Sequence, residues 1–335
     1  MNPLSDAHSI AVIGSGSWAT AIVKILTDSN KHVYWHVRSA EDKAFLQTEY
    51  RNKKYLKQLQ FQPGQYTVSC DLNEVISKSK WVVFALPSAY LEQTVSELTV
   101  PLSDKFILSG IKGILPESKT TPGIYFTKKL GLPQAQFLVL SGPSHAEEVA
   151  EGQPVFLTLG CTEINNAVRF KKQLNTAYLR IGLSTDVFGI EYTGALKNIY
   201  ALAAGIAKGL NLGDNFQSVL ISKALAEMNY FLNAIFPNSQ RMIYDTVYLG
   251  DLLVTAYSEH SRNRKFGELI GRGVDLEGVK KKMKMVAEGY TSAKLIYELK
   301  QEKNIQAPLI DCIYKILYNA VSARTAFQKL SLQLG

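Results

Sequence analysis

The first residues whose types and spacing could do chemistry are Gly14-Ser15-Gly16-Ser17-Trp18-Ala19, a G-x-G-x-x-A turn between an apolar run at 9–13 and a helical pattern at 20–26. In such a setting the first glycine permits a tight turn and the second lets backbone approach a pyrophosphate. The small third residue lets the helix lie close to the strand. Unpaired N–H groups at the helix start then meet negative charge favourably. The bland alternative is a ligand-free strand-to-helix turn, but the elements on both sides favour a dinucleotide site built on Gly14 and Gly16. The second strand ends in Trp35-His36-Val37-Arg38, where an NAD-specific site usually carries an acid for the ribose hydroxyls. Arg38 can instead grip a 2′-phosphate in two-pronged fashion. Glu41, three residues on, could reach a ribose if the turn bends back, so NAD and NADP both stay open.

The elements that must position this loop are legible as an alternation. Strand-like runs at 9–13, 32–37, 66–70, 81–86 and 106–109 alternate with helical patterns, and further strands are expected at 137–140 and 154–159, with a helix over 162–175. Alternation of this kind implies βαβ units and a parallel sheet. From about residue 185 the pattern changes: 194–210, 218–235, 263–270 and 288–300 carry apolar residues at helical spacing, and no strand is evident. The expected fold class is α/β, an N-terminal Rossmann-type doubly wound parallel sheet domain (1–190) followed by an all-helical domain (191–335). A chain of 335 residues accommodates two domains. No Pro/Ser-rich linker separates them, so the boundary is expected to run straight into a long helix.

Composition excludes several classes. An apolar fraction of 46% against 20% charged residues is that of a chain able to bury a core, not of a disordered one. The start MNPLSDAHSIAVIG, with Asp6 and no basic cluster, fits neither a secretory signal nor a transit peptide. No apolar run of about 18 residues is present, so no membrane span is expected and the expected location is cytoplasmic. Cys70, Cys161 and Cys312 lack C-x-x-C spacing and read as reduced and structural. The histidines show no close ligand pair, so no metal is expected. The net charge of +8 could serve a nucleic acid, a membrane surface or a small anionic substrate, and the run Lys280, Lys281, Lys282, Lys284 reads as a solvated helix face. Nucleic-acid binding is not expected, because no aromatic-basic interleaving accompanies the run.

Beyond these generic features the chain resembles bacterial NAD(P)-dependent glycerol-3-phosphate dehydrogenases over nearly its whole length. The matching blocks are GSGSWATA at 14–21, SGIKGI at 109–114, LSGPSHAEEVA at 140–150, EYTGALKNIYALAAGIAKGLNLGDN at 191–215, GDLLVTAYSEHSRNRKFG at 250–267 and VAEGYTSAK at 286–294. GALKN and SRNRKFG at these separations are the specific ones. The resemblance implies that Ser17, Trp18, Arg38 and Ala146 contact the dinucleotide, and that Lys112 touches both NAD(P) and substrate. It implies that Gly142 and Ser144 line the substrate pocket and that Lys197 is the catalytic acid/base. Asp251, Ser261, Arg262 and Asn263 would bind glycerol phosphate, and Arg262, Val286 and Glu288 would also contact the cofactor. The implied reaction interconverts dihydroxyacetone phosphate and sn-glycerol 3-phosphate by hydride exchange with NADH or NADPH, feeding glycerophospholipid synthesis. A homodimer is implied by the resemblance alone.

Elementary chemistry gives several of these residues a reason. Reducing a ketone needs a proton donor at an oxygen that is gaining negative charge, and a lysine can serve. The ordinary alternative for Lys197 is a solvated surface lysine beside a tight helix contact, since Ala201, Ala203, Ala204 and Gly205 follow it. If Lys112 approaches the same pocket, each cation disfavours the other's charge and one pKa falls toward neutrality. Ser261 is a plausible N-cap with N–H groups behind it for a phosphate, to which Arg262 adds a charged fork. Asp251 could bind a substrate hydroxyl or orient Lys197, or could simply cap a helix over 252–258. Lys112-Gly113 and Ser141-Gly142-Pro143-Ser144 each follow a strand, at the edge where open α/β sheets bind ligands.

Four positions depart from the family pattern: Ala19 as the third loop glycine, Lys223 for an arginine, and Val247-Tyr248 where a small Ala-Gly step is usual. Two rival readings are a ketopantoate-type reductase and a catalytically silent NAD(P)H sensor. Ser261-Arg262-Asn263 and the Lys197-Asn198 pair argue against the first. Intact Lys112, Lys197 and Asp251 argue against the second.

Overall fold

The computed structural model describes residues 9–237, 241–283 and 287–334. The chain divides into two compact units. One comprises the residues up to Ile111 together with Pro122–Phe188, the other Lys112–Thr121 together with the residues from Gly189 onward.

The first unit is built on eight strands: β1 Ile10–Ile13, β2 Val33–His36, β3 Tyr66–Ser69, β4 Trp81–Phe84, β5 Phe106–Ser109, β6 Phe137–Ser141, β7 Val155–Gly160 and β8 Leu179–Ser184. They lie in the order β3-β2-β1-β4-β5-β6-β7-β8. IAVI, WVVF and FILS are wholly buried, the continuous apolar pattern of a sheet covered on both faces. β1 pairs in parallel with both β2 and β4, so the strand order reverses beside β1, where open α/β sheets form their ligand crevice.

The expected parallel sheet is corrected at one edge. β6 and β7 are antiparallel, and β8 runs parallel to β7. β8 was not anticipated at all: of its six residues only Leu179 is buried, so an edge strand left no apolar run to read. The helix expected over 162–175 is confined to Ile164–Lys171.

The second unit contains only helices among its described residues. The Val187–Gly209 helix is buried along almost all of its length from Ile190 to Ala207, as an apolar-all-round helix must be. It starts earlier than the expected 194. Helices at Gly213–Ile235, Asp251–Tyr257, Arg262–Gly271 and Glu288–Glu302 follow. The Leu276–Lys282 helix carries Lys280, Lys281 and Lys282 of the basic run, whereas those at Pro308–Tyr318 and Ala323–Ser331 were not anticipated. None of the described helices is long and apolar enough to cross a membrane.

Candidate active site

In the first unit the glycine loop has the geometry its sequence suggested. Gly14 has φ +129°, and a Cβ there would lie 2.4 Å from the Ala85 carbonyl oxygen. Only glycine fits both constraints. The loop is fastened to β2 by the Gly14 N–H donating to His36 O at 3.3 Å and the Trp35 indole donating to Gly14 O at 2.7 Å. Gly16 is the N-cap of the Ser17–Asp28 helix and supplies no side chain to its first turn, which also holds no acid. A Cβ at Gly16 would meet nothing within 4 Å. An open approach to uncapped helix N–H groups is what a pyrophosphate requires, so the residues present fit a dinucleotide.

Sequence reasoning missed Asn52. Its buried amide donates to Ser15 O at 3.0 Å and Thr20 Oγ1 at 2.8 Å, while Oδ1 accepts from the Lys54 and Tyr55 N–H groups. It fixes the loop from below, and a lone Asn in 50–55 carries no sequence signal of that role. Ala146 opens the Ala146–Ala150 helix, which packs against Ser17–Asp28. Arg38 is exposed, its guanidinium 4.8 Å from the Tyr90 ring centre. Glu41 is engaged by Lys53. Gly142, with φ +131°, lies where a Cβ would be 2.6 Å from Phe156 O. Ser144 Oγ donates to Gly142 O at 2.9 Å.

The second unit gathers Lys112, Lys197, Asp251, Ser261, Asn263 and Glu288 with their supports. Lys197 is 4% exposed and Asp251 1%, so the solvated alternative for the lysine does not hold. Asp251 Oδ1 pairs with Lys197 Nζ, and Oδ2 accepts from Lys112 Nζ at 3.4 Å. Burial pushes the Lys197 pKa well down; Asp251 opposes that shift and Lys112 adds to it. Burial works against the Asp251 carboxylate, yet the Lys112 and Lys197 charges outweigh it and hold its pKa below the usual range. Asp251 does not cap the following helix. It is that helix's first residue, preceded by a π-turn over Thr246–Gly250.

Lys112 is held by its backbone. Asn198 Nδ2 donates to Lys112 O at 3.0 Å, and a Cβ at Gly194 would be 3.2 Å from Lys112 Cα. Asn198 Oδ1 accepts from Asn263 Nδ2 at 2.9 Å, and Asn263 Oδ1 accepts from the Gly289 N–H at 2.9 Å. One amide hydrogen of Asn263 is thereby committed and the other left for a ligand. Asn198, noticed in sequence only as Lys197's neighbour, is the hub of this chain of bonds. Ser261 is an N-cap, its Oγ accepting from Arg264 N at 3.2 Å, so its O–H remains able to donate. Arg262 is exposed and Glu288 half-buried at the start of its helix. Val286 lies outside the described residues.

This arrangement can hold a small anion on hydroxyl, amide and guanidinium donors, and can give a proton from a buried lysine. Residues 9–167 match the N-terminal and residues 186–328 the C-terminal model of NAD-dependent glycerol-3-phosphate dehydrogenase. The chain is 34% identical over 312 residues to glycerol-3-phosphate dehydrogenase [NAD(P)+] of Pelodictyon phaeoclathratiforme, covering 92% of this chain and 93% of that one. The Chlorobium phaeobacteroides protein of the same name is 35% identical, with 92% and 93% covered. The crystal structure of glycerol-3-phosphate dehydrogenase from Coxiella burnetii superposes with a TM-score of 0.89 at 29% identity, covering 96% and 98%. The chain belongs to the NAD-dependent glycerol-3-phosphate dehydrogenase family.

Proposed function

We propose that this protein reversibly reduces dihydroxyacetone phosphate to sn-glycerol 3-phosphate with NADH or NADPH. The observation that carries the reading is the buried Lys197, joined through Asp251 to Lys112, in a chain of this family. As the ketone oxygen becomes an alkoxide it needs a proton and a compensating charge. Lys197 delivers the proton to that oxygen, and its burial-lowered pKa makes the transfer easier in both directions. Asp251 keeps the lysine charged and aimed, and Lys112 adds a second positive charge beside it. The Ser261 hydroxyl, the second Asn263 N–H and the Arg262 guanidinium hold the substrate phosphate.

Gly14, Gly16, Ser17, Trp18, Arg38 and Ala146 hold the dinucleotide, which when bound supplies or accepts the hydride. We assign the dinucleotide domain to 1–190, apart from the Lys112–Thr121 segment that packs with the second unit, and the substrate domain to 191–335. The roles of Arg262, Val286 and Glu288 toward the cofactor, and of Gly142 and Ser144 toward the substrate, come with the family pattern. So do a cytoplasmic location, a homodimer testable by sedimentation, and a product that feeds glycerophospholipid synthesis.

The test is loss of reduced-nicotinamide absorbance with dihydroxyacetone phosphate, using NADH and NADPH, for wild type and Lys197→Ala. Consumption that requires the substrate and disappears in the variant supports the reading. A folded, cofactor-binding wild type that consumes neither nucleotide sinks it.

A further inference from the structure

The motif Ser261-Arg262-Asn263-Arg264 contains one residue that the function above does not use. Arg264 is 3% exposed, a burial that a charged side chain tolerates only when it is paired. Its Nε donates to Ser258 O at 3.0 Å and its Nη1 to Glu268 Oε2 at 3.2 Å, while its Nη2 lies 2.6 Å from Glu259 Oε1 as an ion pair whose angle does not make a hydrogen bond. Its backbone N–H donates to Ser261 Oγ. The turn is closed further by Ser261 N donating to Ser258 O at 3.2 Å and His260 N donating to Ser258 Oγ at 3.1 Å. Both ends of the 258–261 turn are thus tied to one side chain and its own peptide. The next two residues, Arg262 and Asn263, are the ones that hold phosphate in the proposed function.

We infer that Arg264 is a positioning residue for the phosphate-binding turn: it does not touch substrate, but its fork fixes where Ser261, Arg262 and Asn263 present their donors. The inference rests on the proposed reaction. Lysine cannot replace Arg264, because a single ammonium cannot serve one carbonyl and two carboxylates in a planar arrangement. A misplacement of about 1 Å at such a site costs on the order of 100-fold in rate.

The experiment compares kcat/KM for dihydroxyacetone phosphate with that for dihydroxyacetone, which lacks the phosphate. In Arg264→Lys the first should fall about 30- to 100-fold while the second falls less than about threefold, because the turn's contribution is to the phosphate. Inhibition by inorganic phosphate, competitive with substrate, should weaken in parallel. Equal losses with both substrates, or no loss with either, overturn the inference. Glu268→Gln keeps the arginine but loosens its holder, and should show the same selectivity at about three- to tenfold. An equal effect on both substrates there also overturns it. A wild type inactive with dihydroxyacetone phosphate would instead remove the reaction itself, a distinct result.

Discussion

Gly267→Ala puts one methyl group into a contact made by backbone on both sides. The Val187–Gly209 and Arg262–Gly271 helices cross so closely that a Cβ at Gly267 would lie 2.1 Å from Leu202 O and 3.0 Å from Ile206 N. The reciprocal Cβ at Gly205 would lie 2.0 Å from Arg264 O. No rotamer relieves a clash with backbone. A carbon and a carbonyl oxygen settle at about 3.3 Å or more, so the helices must part by roughly 1.2 Å there. The 2.9 Å bond from Asn263 to Asn198 spans the same pair of helices, and stretched by that amount it ceases to be a hydrogen bond. Overpacking costs about 1–3 kcal/mol, and alanine returns about 1 kcal/mol of helix propensity, leaving a modest net loss of stability. Activity should suffer more: about 100-fold in kcat/KM for dihydroxyacetone phosphate, with Tm lowered by only a few degrees. Steady-state kinetics beside a thermal melt read both. Wild-type kinetics in a folded Gly267→Ala protein would refute the claim that this crossing sets the site.

Two further perturbations test the electrostatics. Reduction requires Lys197 protonated, so its rate should fall as pH rises through a value well below that of an ordinary lysine. Asp251→Asn removes the charge that opposes this lowering, so the alkaline limb should move to still lower pH and the rate drop at least about 100-fold; an unmoved limb would count against the pairing. Glu227 is buried and accepts from Leu309 N at 2.7 Å, Ile310 N at 3.2 Å and Tyr200 Oη at 3.2 Å, and burial pushes its pKa up to about 7 from 4.5. A raised folded-state pKa means that its stabilisation is complete below the unfolded value and is lost as pH rises through about 7. The amount is about 3 kcal/mol at most. The difference in unfolding free energy between wild type and Glu227→Gln, followed from pH 4 to 8, should shrink with rising pH. The buried His36, whose lowered pKa acts with the opposite sign, cancels in that difference. A pH-independent difference would show that Glu227 does not titrate in this range.

How much was legible depended on whether a residue's role was local. The glycine loop could be read because Gly14, Gly16 and Ala19 answer to their own strand and helix. Ser261 could be read because an N-cap is defined within three residues. β8 could not, because a strand with one buried residue at a sheet edge has no apolar face to announce it. Asn52 and Asn198 could not, because their partners are Ser15 and Thr20 for one and Lys112 and Asn263 for the other. No spacing encodes such distant contacts. The assignment of Lys112 to the second unit likewise depends on contacts with Gly194 and Asn198, not on its place after β5.

Asp251 shows most clearly what the sequence leaves undecided. Gly-Asp before an apolar run reads equally as a helix cap and as a buried acid, since both want a carboxylate at a helix start. The π-turn over Thr246–Gly250 decides between them. A π-turn holds one residue more per turn than an α-helix, which rotates the following residue by about 100° relative to a regular helical approach. Val247 and Tyr248, the bulky pair in place of the family's small step, sit in that turn and are both buried. Their side chains are therefore part of the packing that sets the direction in which Asp251 leaves the turn. The departure from the family pattern thus falls on the support of the acid rather than on the acid itself, and its effect should be sought in how Lys197 is charged and aimed.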